Sequence, residues 1–115
     1  MTAAANANTP IITGNMRKHW AREVLSMCLA LAHVHGITER HEEGATDLQE
    51  LPPAIHESVF GKCQELIERA CRADARGKDS KTIQQLANGE LWDFLKTWRR
   101  DDVIESRLNA PRETL

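Results

Sequence analysis

The chain has 115 residues, 41% of them hydrophobic and 28% charged, with 15 Lys and Arg against 17 Asp and Glu for a formal charge of −2. That composition is too apolar for a disordered chain and sufficient for one domain to fold without a staple. The near-neutral charge argues against a general nucleic-acid or membrane-surface binder working through bulk charge.

Residues 1–10, MTAAANANTP, are small and polar, and are expected to form a flexible N-terminal arm. They carry neither a basic n-region nor an apolar h-region, and no long uncharged apolar run follows for a membrane span, so a cytoplasmic, membrane-free protein is expected. A single helical domain is expected over 11–110. Thr13 or Asn15 is placed to cap a helix running to about His35, which Gly36 terminates. Met16, Trp20, Val24, Met27, Leu31 and Val34 share one side of it, widened by Ala21, Leu25, Cys28 and Ala32.

The stretch 37–51 has little periodicity, contains Gly44 and reads as an acidic loop carrying Glu39, Glu42, Glu43, Asp47 and Glu50. Asp47 and Glu50 have capping-box spacing, which suits one helical turn. Pro52-Pro53 then resets the direction, with Pro53 fit for the first position of a helix that stops near Gly77. This is the clearest amphipathic element: Ile55, Val59, Phe60, Cys63, Leu66, Ile67, Ala70 and Cys71 fall within roughly 160° of arc. An arc that wide asks for at least two packing neighbours.

Asp79 or Ser80 is expected to cap a shorter helix through Ile83, Leu86 and Ala87, after which Asn88-Gly89 turns the chain. A further helix follows over 90–100, with Leu91, Phe94, Leu95 and Trp98 on one side. Asp102 and Glu105 suit a last short helix over 103–108, and 111–115 a frayed tail. With no convincing period-2 run of β-branched residues, the expected fold is all-α, a compact bundle of four to five helices.

Three cysteines are an odd number, and Cys63 and Cys71 are separated by about 12 Å of helical rise, so free buried thiols in a reducing setting are expected. Pairing of Cys63 with His56 for nucleophilic chemistry fails on about 10 Å of rise. Phosphate-cradle glycine motifs are absent, as are H-E-x-x-H and C-x-x-C. No enzyme activity and no cofactor are expected.

Three binding readings remain, and no family resemblance chooses among them. Trp92 lies at the flank of its helix beside Lys96 and Arg99, a framed aromatic suited to anchoring another protein. With the acidic residues Glu39, Glu42 and Glu43 it defines the favoured reading, a small non-enzymatic protein-binding module such as a regulator, adaptor or inhibitor. The alternative is a nucleic-acid contact through Arg69, Arg72, Arg76, Arg99 and Arg100, with the two helices around Asn88-Gly89 imitating a helix-turn-helix pair. Against it, Glu65 with Arg69 and Glu68 with Arg72 have the i, i+4 order of ordinary surface ion pairs. Least favoured is a metal site at His33, His35 and His41. Wide apolar arcs also admit a homodimer.

Overall fold

The computed structural model describes residues 11–98. Three α-helices follow one another there: α1 over Gly14–Val34, α2 over Pro53–Ala75 and α3 over Ser80–Leu95, with 3-10 turns at Leu48–Glu50 and Lys96–Trp98. No strand occurs among the described residues. The all-α class therefore holds, but the bundle has three helices there rather than the expected four or five. The arm 1–10, the helix 103–108, the tail 111–115, Arg99 and Arg100 lie outside the described residues.

Helix ends fall where backbone chemistry puts them. Thr13 caps α1 by accepting from the Met16 amide at 3.1 Å, and Asp79 caps α3 by accepting from that of Thr82 at 3.2 Å. Asp47 caps the first 3-10 turn, and Pro53 occupies the start of α2. Both long helices close on a glycine with positive φ, 76° at Gly36 and 86° at Gly77. In each, the amide beyond the glycine reaches back to close the last turn: Ile37 to the Ala32 carbonyl at 2.8 Å, Lys78 to that of Ala73 at 3.0 Å. This is the Schellman geometry, which satisfies carbonyls the helix leaves free.

Asn88-Gly89 does not turn the chain. Ile83, Ala87, Leu91 and Leu95 recur every four residues along α3 and are all buried, so a turn at 88–89 would break one continuous core stripe. An interior glycine costs a helix only about 1 kcal/mol against alanine. Burial of leucine alone is worth about 1.5–3 kcal/mol per side chain, and the stripe wins.

Interhelical contacts set an up-down-up arrangement. Trp20 packs with Ala70 and Cys71 and its indole donates to Asp74 Oδ2 at 2.9 Å, Arg17 pairs with Glu68, and Val24 and Cys28 share the other part of the core with Val59 and Cys63, so α1 and α2 run antiparallel. Ile83 packs with Ala70 and Cys71, while Leu91 and Leu95 share the other part of the core with Val59 and Cys63, so α2 and α3 are antiparallel as well, and Lys62 and Arg69 both reach Glu90 across them. Gln84 donates to Glu23 at 2.8 Å and Trp92 meets His35, so α1 and α3 are parallel.

The core has two parts. Around Trp20 gather Ala70, Cys71 and Ile83. The larger part runs from Val24 and Cys28 through Val59 and Cys63 to Leu91 and Leu95, and is roofed by Ile37, Leu48 and Leu51. Apolar side and actual burial diverge at three places: Val34 is 64% exposed, Leu86 56% and Phe60 43%. Each sits on the apolar half of its wheel but stays outside the buried core.

Candidate interaction surface at the histidine end

The end of the bundle where α1 and α3 finish gathers most of the residues that the sequence singles out. The Schellman turn at Gly36 folds Ile37 and Thr38 back against the core, where both are buried. His33 Nδ1 faces the Thr38 carbonyl at 3.3 Å; because a carbonyl only accepts, Nδ1 carries the proton. The His33 ring is stacked with that of His41, centroids 5.9 Å apart. His35 turns the other way, onto Trp92, at 4.3 Å between centroids and 52° between planes.

Trp92 is 42% exposed. It lies at the flank of its helix, and its ring neighbour is His35, the residue that caps the end of α1, while Lys96 pairs with Asp93 at 3.2 Å. That packing holds the indole against His35 and leaves part of it to solvent. Nearby, His35 Nε2 and Thr38 Oγ1 are enclosed without a hydrogen-bond partner among the described residues. Buried polar atoms left so cost about 1–3 kcal/mol each. Glu39, Glu42 and Glu43 are exposed on the adjoining loop.

The three histidines do not converge as a ligand set would. His33 and His41 form one pair and His35 belongs to Trp92, and among the described residues no group of three or more His, Cys, Asp or Glu is placed to hold a metal ion.

The arginine ridge is largely spoken for at its start. Arg69 makes a two-pronged contact with Glu90, with one bond at 2.9 Å, and also meets Glu65 at 3.5 Å. Lys62 joins the same carboxylate at 3.2 Å. Hydrogen bonding from Arg69, then from Lys62, holds the Glu90 carboxyl below the usual carboxylate range, and the same bond raises the Arg69 guanidinium. Glu68 is engaged by Arg17 of α1 instead of Arg72. Arg72 and Arg76 remain exposed. Because α3 is continuous, no helix-turn-helix pair exists at Asn88-Gly89.

All three cysteines are free and buried. The hydrogen bond with Cys63, together with burial, pushes the Cys28 thiol far up, and burial raises Cys71. Thiols so placed are inert as nucleophiles. Glu90, Arg17 and His35 escaped sequence reasoning as partners because each acts across helices far apart in the chain.

Between α1 and α3 an open trough of about 480 Å³ is lined by Glu23, Ser26, Met27, Gln84, Gln85 and Asn88. Its mixed lining offers no convergent chemistry. Among the described residues no helix is long and apolar enough to cross a membrane. No family model matches the chain, and no curated protein or solved structure matches it either.

Proposed function

We propose that the chain is a small non-enzymatic protein-binding module whose contact surface is the histidine end of the bundle, with Trp92 as anchor. The observation that carries this reading is the half-exposed Trp92 ring held against His35 at 4.3 Å. A large aromatic with one face fixed by the fold loses little side-chain entropy on binding and contributes most when a partner covers the other face. Glu39, Glu42 and Glu43 supply an acidic rim suited to a basic partner, where charge acts on encounter rate and selectivity more than on affinity.

The test is quantitative capture from cell extract with wild type, Trp92→Ala and a Glu42→Lys/Glu43→Lys double variant, with helical circular dichroism checked for each. A specific partner should bind wild type, lose at least about 2 kcal/mol of affinity with Trp92→Ala, and show slower association with the charge reversal. Full binding by both variants would overturn the reading. The nucleic-acid alternative retains only Arg72 and Arg76 as uncommitted ridge residues among those described. A mobility shift on mixed DNA or RNA, steeply weakened by salt, would put it first.

A further inference from the structure

The end of the bundle opposite the histidines, where α1 and α3 begin and α2 finishes, is held together by Trp20 with Ala70, Cys71 and Ile83. Lys18 and Arg22 flank Trp20 on α1, Arg72 follows Cys71 on α2, and Lys81 stands just before Ile83 on α3. Arg76 and Lys78 lie in the turn that joins α2 to α3. All six are exposed, and none forms an ion pair among the described residues. The carboxylates of this end are engaged within the bundle instead: Glu68 with Arg17, Asp74 with the Trp20 indole, Asp79 as the cap of α3 and Glu23 with Gln84.

The opposite pole has the opposite sign. Residues 37–57 carry six carboxylates and one arginine. The near-neutral total therefore conceals two poles, separated by about 30 Å along the 21 residues of α1. Bulk charge excludes a protein that is basic all over, but it says nothing against one that is basic at one end.

Exposed lysine and arginine with no carboxylate set against them are complementary to phosphates. The rest of the surface narrows the choice of polyanion. Protein interfaces centre on aromatic anchors, and single-stranded nucleic acid stacks its bases on exposed rings. At this end Trp20 is buried, and His19, edge-on to it at 4.9 Å between centroids, is the exposed ring among the described residues. Firm attachment to an anionic membrane needs an inserted apolar face besides the charge, and Ile11, ahead of α1, is a single exposed side chain. A duplex asks only for cations placed to meet its backbone. We propose that this end of the bundle binds the phosphate backbone of a nucleic-acid duplex without reading sequence, with the acidic histidine end repelled by the phosphates and turned away from it. The histidine end is then free to hold a protein, a consequence that rests on the function proposed above; the duplex contact itself does not.

Fluorescence anisotropy of a labelled mixed-sequence DNA duplex, titrated with the full chain at several salt concentrations, tests it. With six phosphate contacts the affinity should fall about 10³-fold between about 50 and 200 mM salt, a log–log slope of about −5. Lys18→Gln/Arg22→Gln removes two cations that have no ion pair to lose, and should lower that slope by about two while keeping the helical spectrum. Trp92→Ala should leave duplex binding unchanged, so the two contacts can fail separately. No binding at about 50 mM salt, a slope untouched by Lys18→Gln/Arg22→Gln, or binding to phosphatidylserine vesicles with none to the duplex would overturn the proposal.

Discussion

Replacing Gly89 by alanine asks directly whether α3 passes through Asn88-Gly89. Gly89 lies inside Ser80–Leu95, has no positive φ, and an added Cβ would meet nothing within 4 Å. The substitution should therefore recover the helix-propensity difference, about 0.8–1.0 kcal/mol. For a domain of this size that is roughly 4 °C in Tm. The same chemical change at Gly77 should act in the opposite direction. Gly77 adopts φ 86° in the Schellman turn, and a β-carbon there costs about 1–2 kcal/mol however open the space around it. The two variants should thus straddle wild type by about 2 kcal/mol in total. Urea and thermal unfolding at low protein concentration, followed by circular dichroism at the helix band, measure both. Gly89→Ala less stable than wild type would refute the continuous helix and restore the turn.

Other perturbations read the remaining contacts. Trp20→Phe removes the indole donor to Asp74 at 2.9 Å inside the Trp20 cluster; a hydrogen bond to a charged group is worth about 1.5–3 kcal/mol, and a double-mutant cycle with Asp74→Ala should return most of that as coupling. Glu90 has its folded-state carboxyl lowered, first by Arg69. Its contribution is therefore present above the unfolded value of about 4.3 and lost as pH falls through the folded one. Glu90→Gln should be less stable than wild type at neutral pH by about 1 kcal/mol or less, the side chain being partly solvated, and the gap in urea midpoint should close in acid; a gap independent of pH would show that the ion pairs contribute nothing. Under native conditions at pH 8, an aromatic disulfide reagent should titrate the thiols of Cys28, Cys63 and Cys71 only slowly, and all three at once in denaturant. Immediate labelling of the native protein would contradict their burial.

The sequence made the helix ends legible because they depend on local chemistry. Thr13, Pro53, Asp79, Gly36 and Gly77 act through their own backbone or the next turn; spacing points to Pro53 and the two glycines, and narrows the caps to Thr13 or Asn15 and Asp79 or Ser80, of which Thr13 and Asp79 do the capping. Where local and distant terms compete, local reasoning failed. Asn-Gly is a strong turn signal taken by itself, but the four-residue stripe from Ile83 to Leu95 outweighs it once α1 and α2 are there to cover it. A helical wheel likewise gives the direction a side chain points but not how far the neighbouring helix extends, so Val34 and Phe60 share the apolar side of their helices and are nonetheless exposed. At the candidate site, the flank position of Trp92 was readable from its helix, whereas its contact with His35 joins two helices that no hairpin connects. Glu68 shows the same limit: an i, i+4 pairing with Arg72 is what the sequence offers, and Arg17 from another helix takes the carboxylate.

The two connections between helices are unequal, 35–52 before α2 against 76–79 after it, and this asymmetry sets what each contact costs to close. Contacts between α2 and α3 close separations of 21 and 28 residues, at Arg69–Glu90 and Lys62–Glu90. Those that bring in α1 close 51, 54 and 61, at Arg17–Glu68, Trp20–Asp74 and Glu23–Gln84. Each doubling of a loop adds about 0.6 kcal/mol of closure entropy, so closing the α2–α3 hairpin costs about that much less than bringing α1 onto it.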